Sequence, residues 1–207
     1  MTTDQMLNAF ATFFVTIDPP GQIAIFLALT VGLSGEARRK IALFGTLLGI
    51  GIILLFMIIG APLLELLGIS LPAFRVAGGL LLFYTAFEMV FEKRQERRED
   101  QAQRALSTQE MRSIAVFPLA IPLIAGPGAI SAAILLSSDF TTIAEYGALT
   151  GIVLSVGLIL LVALLLANRL NDILGETTGM VITRLFGILL AALSVQFVAD
   201  GMKQLLG

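Results

Sequence analysis

The apolar residues of the chain are concentrated in long segments that short polar stretches separate. A helix that crosses the hydrocarbon core of a bilayer needs about 20 mainly apolar residues. None of the segments alternates with the period of two that is typical of a membrane strand, and Leu, Ile and Ala predominate. The pattern predicts an all-α polytopic membrane protein with six transmembrane helices, at roughly 6–31, 41–62, 71–91, 112–137, 144–167 and 180–203.

Two of the six segments, the first and the fourth, contain helix-breaking sequences. Asp18-Pro19-Pro20-Gly21 lies midway along segment one, and Gly126-Pro127-Gly128 lies in segment four. Proline removes a backbone donor and clashes with the preceding turn, so each sequence is expected to split its helix into two half-helices. Lipid cannot satisfy the backbone groups that a break frees. Protein groups, water or a ligand must therefore bind them, unless both breaks are only packing kinks.

The two breaks also indicate an internal repeat. Pro20-Gly21-Gln22-Ile23 matches Pro127-Gly128-Ala129-Ile130, and Arg75-Val76-Ala77-Gly78 matches Arg184-Leu185-Phe186-Gly187. We expect two three-helix repeats at 1–91 and 112–207, joined by a charged linker at 92–111. Because each repeat has an odd number of spans, the second should be inverted relative to the first. Inverted-topology repeats with helices broken at equivalent positions are typical of secondary transporters.

The distribution of Lys and Arg predicts the orientation in the membrane. Ten of the 13 Lys and Arg residues follow segments one, three and five, among them Arg38, Arg39, Lys40 and Arg169. Short cytoplasmic loops retain such residues, so these connections, including the linker 92–111, are expected in the cytoplasm. Both termini are then expected to be periplasmic, in a bacterial inner membrane.

The composition excludes several kinds of chemistry. The chain has no Cys and no His, which removes disulfides, thiolate nucleophiles and the commonest metal ligand and general base. Its net charge is −2, and no basic stripe for nucleic acid lies outside the loops. We therefore expect no enzyme, no metal site, no cofactor and no nucleic-acid partner.

The broken helices contain the candidate binding residues. Half-helix N-termini favour a carboxylate, while freed carbonyl groups favour an ammonium group or a cation. A carboxylate near the membrane midplane is costly, so Asp18 is expected to bind a substrate ammonium, a coupling proton or a cation, or to cap the second half-helix. The predicted substrate-binding set is Asp18, Pro20, Gly21, Gln22, Gly126, Pro127, Gly128 and Ser131.

Residues outside the two breaks are expected at the membrane surface, in ion pairs or at helix contacts. Arg75 and Arg184 occupy matching repeat positions, where they either extend to the membrane surface or form gate-like ion pairs. Glu88 is expected at the cytoplasmic interface. The glycine pairs Gly45/Gly49 and Gly147/Gly151 are expected to let helices pack closely.

Four runs of sequence resemble the MarC family of bacterial membrane proteins, also called the SnatA or neutral amino acid transporter family. They are Asp18-Pro19-Pro20-Gly21 with Phe26-Leu27, Arg75-Val76-Ala77-Gly78-Gly79, the run from Phe117 to Ile130, and Thr183 to Ala192 with Gln196-Phe197. The resemblance covers almost the whole chain outside the linker. It implies six helices and, for some members, transport of small neutral amino acids such as glycine and alanine.

The sequence thus favours a secondary transporter of small neutral amino acids that works by alternating access, with a proton or sodium as a possible coupling ion. Its partners are then a small-molecule substrate and the bilayer. A passive channel and a structural membrane protein without a ligand are the alternatives. Few polar residues are available to line a continuous pore, and ligand-dependent thermal stabilisation would argue against a purely structural role.

Overall fold

The computed structural model describes residues 1–91, 114–138, 140 and 142–206, and of residues 174–177 the backbone alone. The predicted linker 92–111 lies outside the described residues. All regular elements of the described part are helices: α1 (Thr3–Ile17), α2 (Pro19–Leu29), α3 (Gly35–Leu66), α4 (Leu71–Val90), α5 (Ala115–Ile124), α6 (Pro127–Ser137), α7 (Ile143–Leu165) and α8 (Ala167–Leu206).

These helices make five or six membrane spans. The segment Thr3–Leu29, which contains α1 and α2, is long and apolar enough to cross a bilayer, as are α3, α4, α7 and the Thr178–Leu206 part of α8. Helices α5 and α6 are bent by 54° relative to each other and count as a sixth span if the pair is taken together. The protein is therefore an all-helical multi-pass membrane protein, as the hydrophobic pattern predicted.

Local sequence signals define where the unbroken helices begin. The side chains of Ser34, Ser70 and Thr142 each accept a hydrogen bond from the backbone N–H three residues further on, at the starts of α3, α4 and α7. Such N-caps satisfy donors that the first turn leaves unpaired. Gly32 and Gly68, in the loops before α3 and α4, have positive φ, which glycine adopts without steric cost.

The broken helices occupy the centre of the bundle, and the unbroken helices surround them. In the most apolar stretch of Thr3–Leu29, 67% of the residues are buried, against 17% to 39% in the four unbroken spans. The outer helices instead expose large apolar side chains such as Leu47, Ile58, Leu158 and Leu189. Because freed backbone groups cannot face lipid, this arrangement places both breaks where protein groups can reach them.

Helices α4 and α8 pack closely against each other because glycine lies at their contacts. A Cβ atom at Gly79, Gly187 or Gly201 would lie 3.0 to 3.1 Å from a backbone carbonyl oxygen of the partner helix. Small residues allow this close backbone approach in membranes. The pair forms one side of the bundle, while α3 contacts α5, α6 and α7 on the other.

Helix α8 contradicts one prediction. A loop was expected between segments five and six, at 168–179, but a continuous helix of 40 residues runs from Ala167 to Leu206. At 1.5 Å per residue its length is about 60 Å, twice the hydrocarbon core. The apolar part of α8 that can cross the membrane starts at Thr178. The residues before it contain no proline that would interrupt the helix, and Leu170 and Ile173 keep helical spacing.

The two glycine pairs differ in how closely other helices pack against them. Gly45 and Gly49 of α3 pack closely against the side chains of Leu119 and Ile124, as expected. The prediction for Gly147 and Gly151 is wrong, because both are exposed and no atom lies within 4 Å of a Cβ built at either position. Their spacing matches that of Gly45 and Gly49, but they lie on the outward face of α7, where no other described helix packs.

Candidate functional site at the two helix breaks

The first break is centred on Asp18, which ends α1 and begins α2. Its backbone is in the left-handed region, with φ 59° and ψ 63°, a conformation that costs a residue other than glycine about 1–3 kcal/mol and is concentrated at functional sites. Its Oδ1 atom accepts a hydrogen bond of 3.1 Å from the N–H of Gly21. With Pro19 as the first helical residue, this is the capping arrangement that the sequence predicted.

The carboxylate of Asp18 is buried and is also bound from a distant helix. Only 1% of Asp18 is exposed. The hydroxyl of Thr183 in α8 donates to the same Oδ1 atom at 3.1 Å. Sequence reasoning did not select Thr183. The available signal was a hydroxyl residue in an apolar segment, directly before Arg184, within one of the runs that resemble the family.

Gln22 replaces backbone hydrogen bonds that the first break removes. In a regular helix the Gly21 N–H would donate to the carbonyl of Ile17, but here it donates to Asp18. The Nε2 atom of Gln22 donates to the Ile17 carbonyl at 2.7 Å instead, and to the Leu123 carbonyl of α5 at 3.3 Å. The side chain is fully buried, and its Oε1 atom has no hydrogen-bond partner among the described residues. Since such an acceptor is costly to leave unsatisfied, this position is suited to a donor from a ligand.

The second break has a different construction. Segment α5 is irregular, because extended residues at Phe117 and Ile121, each followed by a cis proline, interrupt its helical turns. Helix α6 then begins at Gly126 with no side-chain cap and with Pro127 as its first residue. The N-terminus of α6, which has 11 residues, therefore keeps backbone N–H groups and a positive dipole end that can bind an anion.

The structure brings part of the predicted set together. Gln22 links the two breaks through the carbonyl of Leu123. Gly128 is buried at the start of α6, where an added Cβ would lie 3.8 Å from Thr16 and 3.2 Å from the Thr85 hydroxyl. We call the region of the two breaks that contains Asp18, Gln22, Gly128 and Thr183 the central site.

Other members of the predicted set lie apart from that region. Pro127 and Ser131 line a cavity of about 490 Å³ between α3, α4, α5 and α6, with Phe56, Leu63 and Phe74. Asp18 does not line this cavity, whose walls carry no charged side chain. A zwitterion is poorly matched to such a lining, because charges buried without partners are strongly unfavourable. Gly126 and Pro20 are half-buried at their breaks.

The ionisable residues of α4 and α8 are not placed alike. Arg75 is buried with 8% exposure, whereas Arg184 is exposed. Glu88, which we predicted at the cytoplasmic interface, lies two residues before the end of α4 and is 3% exposed, so neighbouring elements cover it. Its position near the end of the span gave no information about which neighbouring elements cover it. Within the described residues no cluster of acidic side chains could hold a metal ion.

Comparison with known proteins places the chain among integral membrane proteins. The sequence pattern of the MarC family of integral membrane proteins matches residues 3–206. A UPF0056 membrane protein of Archaeoglobus fulgidus is 36% identical over 199 residues, covering 95% of this chain and 91% of the relative. The UPF0056 membrane protein YhcE of Escherichia coli is 34% identical over 197 residues, covering 94% and 90%. The UPF0056 membrane protein YvbG of Bacillus subtilis is 33% identical over 201 residues, covering 96% and 94%. No solved structure matches.

Proposed function

We propose that this chain, which belongs to the MarC family of integral membrane proteins, is a secondary transporter of small neutral amino acids in the bacterial inner membrane. The proposed mechanism is alternating access between two inverted three-helix repeats. The observation that carries the proposal is a buried carboxylate, Asp18, at a helix break that a second broken helix contacts.

The central site offers complementary groups for the two ends of an amino acid. The carboxylate of Asp18 and the unsatisfied Oε1 atom of Gln22 are acceptors for an ammonium group. The first turn of α6, which contains Gly128 and has no side-chain cap, provides backbone N–H groups for a carboxylate. Glycine stands at both breaks, as Gly21 and Gly128, and such small residues favour a compact substrate such as glycine or alanine.

Asp18 can also carry the coupling ion. A buried carboxylate that accepts hydrogen bonds from Gly21 and Thr183 can exchange one of them for a proton or for sodium. In that arrangement ion binding and substrate binding would involve the same oxygen atoms, so that occupancy by one affects the other.

The contacts between α4 and α8 support the inverted repeat. Gly79 of α4 faces the carbonyl of Ser194 and the side chain of Val198, and Gly187 of α8 faces the carbonyl of Ala86 and the side chain of Val90. The pairs 79/187, 86/194 and 90/198 each differ by 108 residues, close to the offsets of 107 and 109 between the matching sequence runs. A two-fold axis in the membrane plane would relate the two sets of contacts.

Uptake and exchange of labelled glycine or alanine test the proposal. The full chain is reconstituted in proteoliposomes, and transport is measured with an imposed pH or sodium gradient and without one. Saturable exchange against a concentration gradient is expected, which a passive channel would not support. Absence of both uptake and exchange under every gradient, from protein that unfolds cooperatively, would contradict the proposal.

Accessibility of introduced cysteines tests the proposed orientation, because the natural chain has none. A cysteine at Thr3 should react with a membrane-impermeant maleimide on intact cells, since both termini are proposed to be periplasmic. A cysteine at Glu36 should react only after the membrane is opened. The reverse pattern would place the chain in the opposite orientation.

A further inference from the structure

A second cavity, with both charged and apolar lining, lies at the end of the bundle that contains the start of α3. It has a volume of about 580 Å³ and lies between the end of α2, the first turns of α3 and the junction of α7 with α8. We call it the basic cavity and define it by Arg38, Arg39, Lys40, Leu43, Leu165 and Asn168. Because α3 becomes apolar after Lys40, the cavity is at the boundary between the hydrocarbon core and water.

The lining of the basic cavity carries excess positive charge. Arg38 is half-buried, and its guanidinium donates to the Thr30 carbonyl at 3.1 Å and to the Asn168 side-chain oxygen at 3.3 Å. Both acceptors are neutral, so the charge of Arg38 is held in place but not compensated. Lys40 pairs with Glu36 at 2.7 Å, and this exposed ion pair contributes little.

Arg39 adds a further charge without a partner. It is exposed at the cavity and forms no hydrogen bond or ion pair with other residues in the described part of the chain. Three cations and one carboxylate, that of Glu36, leave the lining with a net charge of +2. The N-terminal turn of the 32-residue helix α3 adds a positive dipole end on the same side.

The other part of the lining is apolar and faces the membrane. Leu43 and Leu165 are each about two-fifths exposed, and Leu27 and Leu164 complete this part of the wall. A free inorganic anion would make no favourable contact with these apolar side chains. A molecule with an anionic head and an acyl chain matches both parts, and pockets with basic residues on the cytoplasmic side of membrane helices bind such lipids.

We propose that the basic cavity binds an anionic phospholipid, whose phosphate contacts Arg38 and Arg39 and whose acyl chain lies along Leu43 and Leu165. The site is separate from the central site, and its occupancy does not depend on what the protein transports. The orientation predicted from the Lys and Arg distribution places the cavity in the inner leaflet, where anionic lipids are available.

Lipid binding to the purified full chain tests the proposal. Native mass spectrometry in detergent compares phosphatidylglycerol with phosphatidylcholine that has the same acyl chains. We expect stronger binding of phosphatidylglycerol. Since one basic residue near an anionic lipid surface contributes about fivefold in affinity, Arg39→Gln should weaken binding about fivefold and Arg38→Gln with Arg39→Gln about 25-fold.

Arg169→Gln is the matched control, because Arg169 is exposed near the same end of the bundle but does not line the cavity. It should change phosphatidylglycerol affinity less than twofold. Equal weakening by Arg39→Gln and Arg169→Gln would indicate diffuse attraction and overturn the proposal. Arg39 is exposed and forms no hydrogen bond or ion pair with the described residues, so its replacement should leave folding intact, which thermal unfolding checks.

Head-group analogues distinguish a lipid from a soluble anion. Inorganic phosphate and glycerophosphoglycerol, at matched ionic strength, should fail to displace bound phosphatidylglycerol at millimolar concentration. Displacement at such concentrations would show that the acyl chain contributes nothing, and the lipid assignment would then be wrong. Equal binding of phosphatidylcholine and phosphatidylglycerol would also contradict it.

Discussion

The two helix breaks interrupt matching sequences but compensate for the missing backbone hydrogen bonds differently. At the first break, polar side chains do so: Asp18 caps Gly21, and Gln22 binds the carbonyl of Ile17. At the second break, the backbone itself changes shape through the extended residues Phe117 and Ile121, and no side chain caps α6. The α1–α2 segment still counts as a single span, whereas α5 and α6 are bent by 54°.

This difference indicates separate roles for the two breaks. Hydrogen bonds to side chains can be exchanged for bonds to a ligand or a proton, because a carboxylate or amide has several acceptor positions. At a break formed by proline and glycine, no side chain is available to exchange its hydrogen bonds for those of a ligand. The backbone N–H donors of such a break point in a fixed direction. We expect charge and coupling to depend on the first break and substrate orientation on the second.

The largest effect is expected from Asp18→Asn. Asparagine can still cap α2, so the thermal stability should change little. Loss of the charged acceptor should weaken substrate binding or coupled transport about 10- to 100-fold, as for hydrogen bonds to charged groups. Transport in proteoliposomes and thermal unfolding measure the two quantities. Full activity of this variant would leave Asp18 only its capping role.

Gly21→Ala and Gly128→Ala compare the breaks directly. A Cβ at Gly21 would collide with the carboxylate of Asp18, whereas a Cβ at Gly128 would lie 3.2 Å from the Thr85 hydroxyl and leave Asp18 untouched. Gly21→Ala should therefore lower transport about tenfold by displacing a charged acceptor. Gly128→Ala should have a smaller effect and should reduce alanine transport more than glycine transport. Equal effects on both substrates would contradict the proposed positions.

Gly126→Ala should act on stability at the second break. An added Cβ would lie 2.7 Å from the carbonyl oxygen of Pro122, a backbone atom that cannot move independently. Overpacking of this kind costs about 1–3 kcal/mol. Gly151→Ala is the control, because its Cβ meets no atom within 4 Å and alanine favours a helix by about 1 kcal/mol. Thermal unfolding should shift in opposite directions for the two variants.

The smallest effect is expected from Thr183→Val. It removes the hydroxyl that donates to Asp18 and preserves side-chain shape, so substrate affinity should fall about fivefold, the contribution of one typical hydrogen bond. Thr30→Val is the control, because the Thr30 hydroxyl donates to the Phe26 carbonyl of α2, away from the breaks. Equal losses in the two variants would mean that the link between Asp18 and Thr183 has no functional role.

Local sequence was sufficient to predict the spans, the breaks and the cap at Asp18. Hydrophobic length is a property of the segment itself, and the effects of proline, glycine and an N-cap residue extend over only a few positions. The same reasoning placed Gln22 beside the first break. It could not predict that the amide would also reach Leu123, since that contact joins residues about 100 positions apart.

The remaining errors concern properties that depend on neighbouring elements. Thr183 was missed because its relevance comes from Asp18, 165 positions away. Gly147 was misplaced because its spacing to Gly151 resembles that of a packing pair, while its contacts depend on which helices cover α7. The length of α8 was underestimated because hydrophobicity indicates only the part of a helix that lies in lipid. It does not show how far the helix extends beyond the lipid.

Helix α8 runs without interruption from the basic cavity to the central site. Thr183, at the central site, and Asn168, at the basic cavity, lie on the same helix and are about 22 Å apart along it. A tilt of ten degrees about Thr183 would move Asn168 by about 4 Å, more than the length of its hydrogen bond to Arg38. If α8 tilts when Thr183 releases Asp18, Asn168 would move further than Thr183, and a spectroscopic distance label at position 168 would record the displacement.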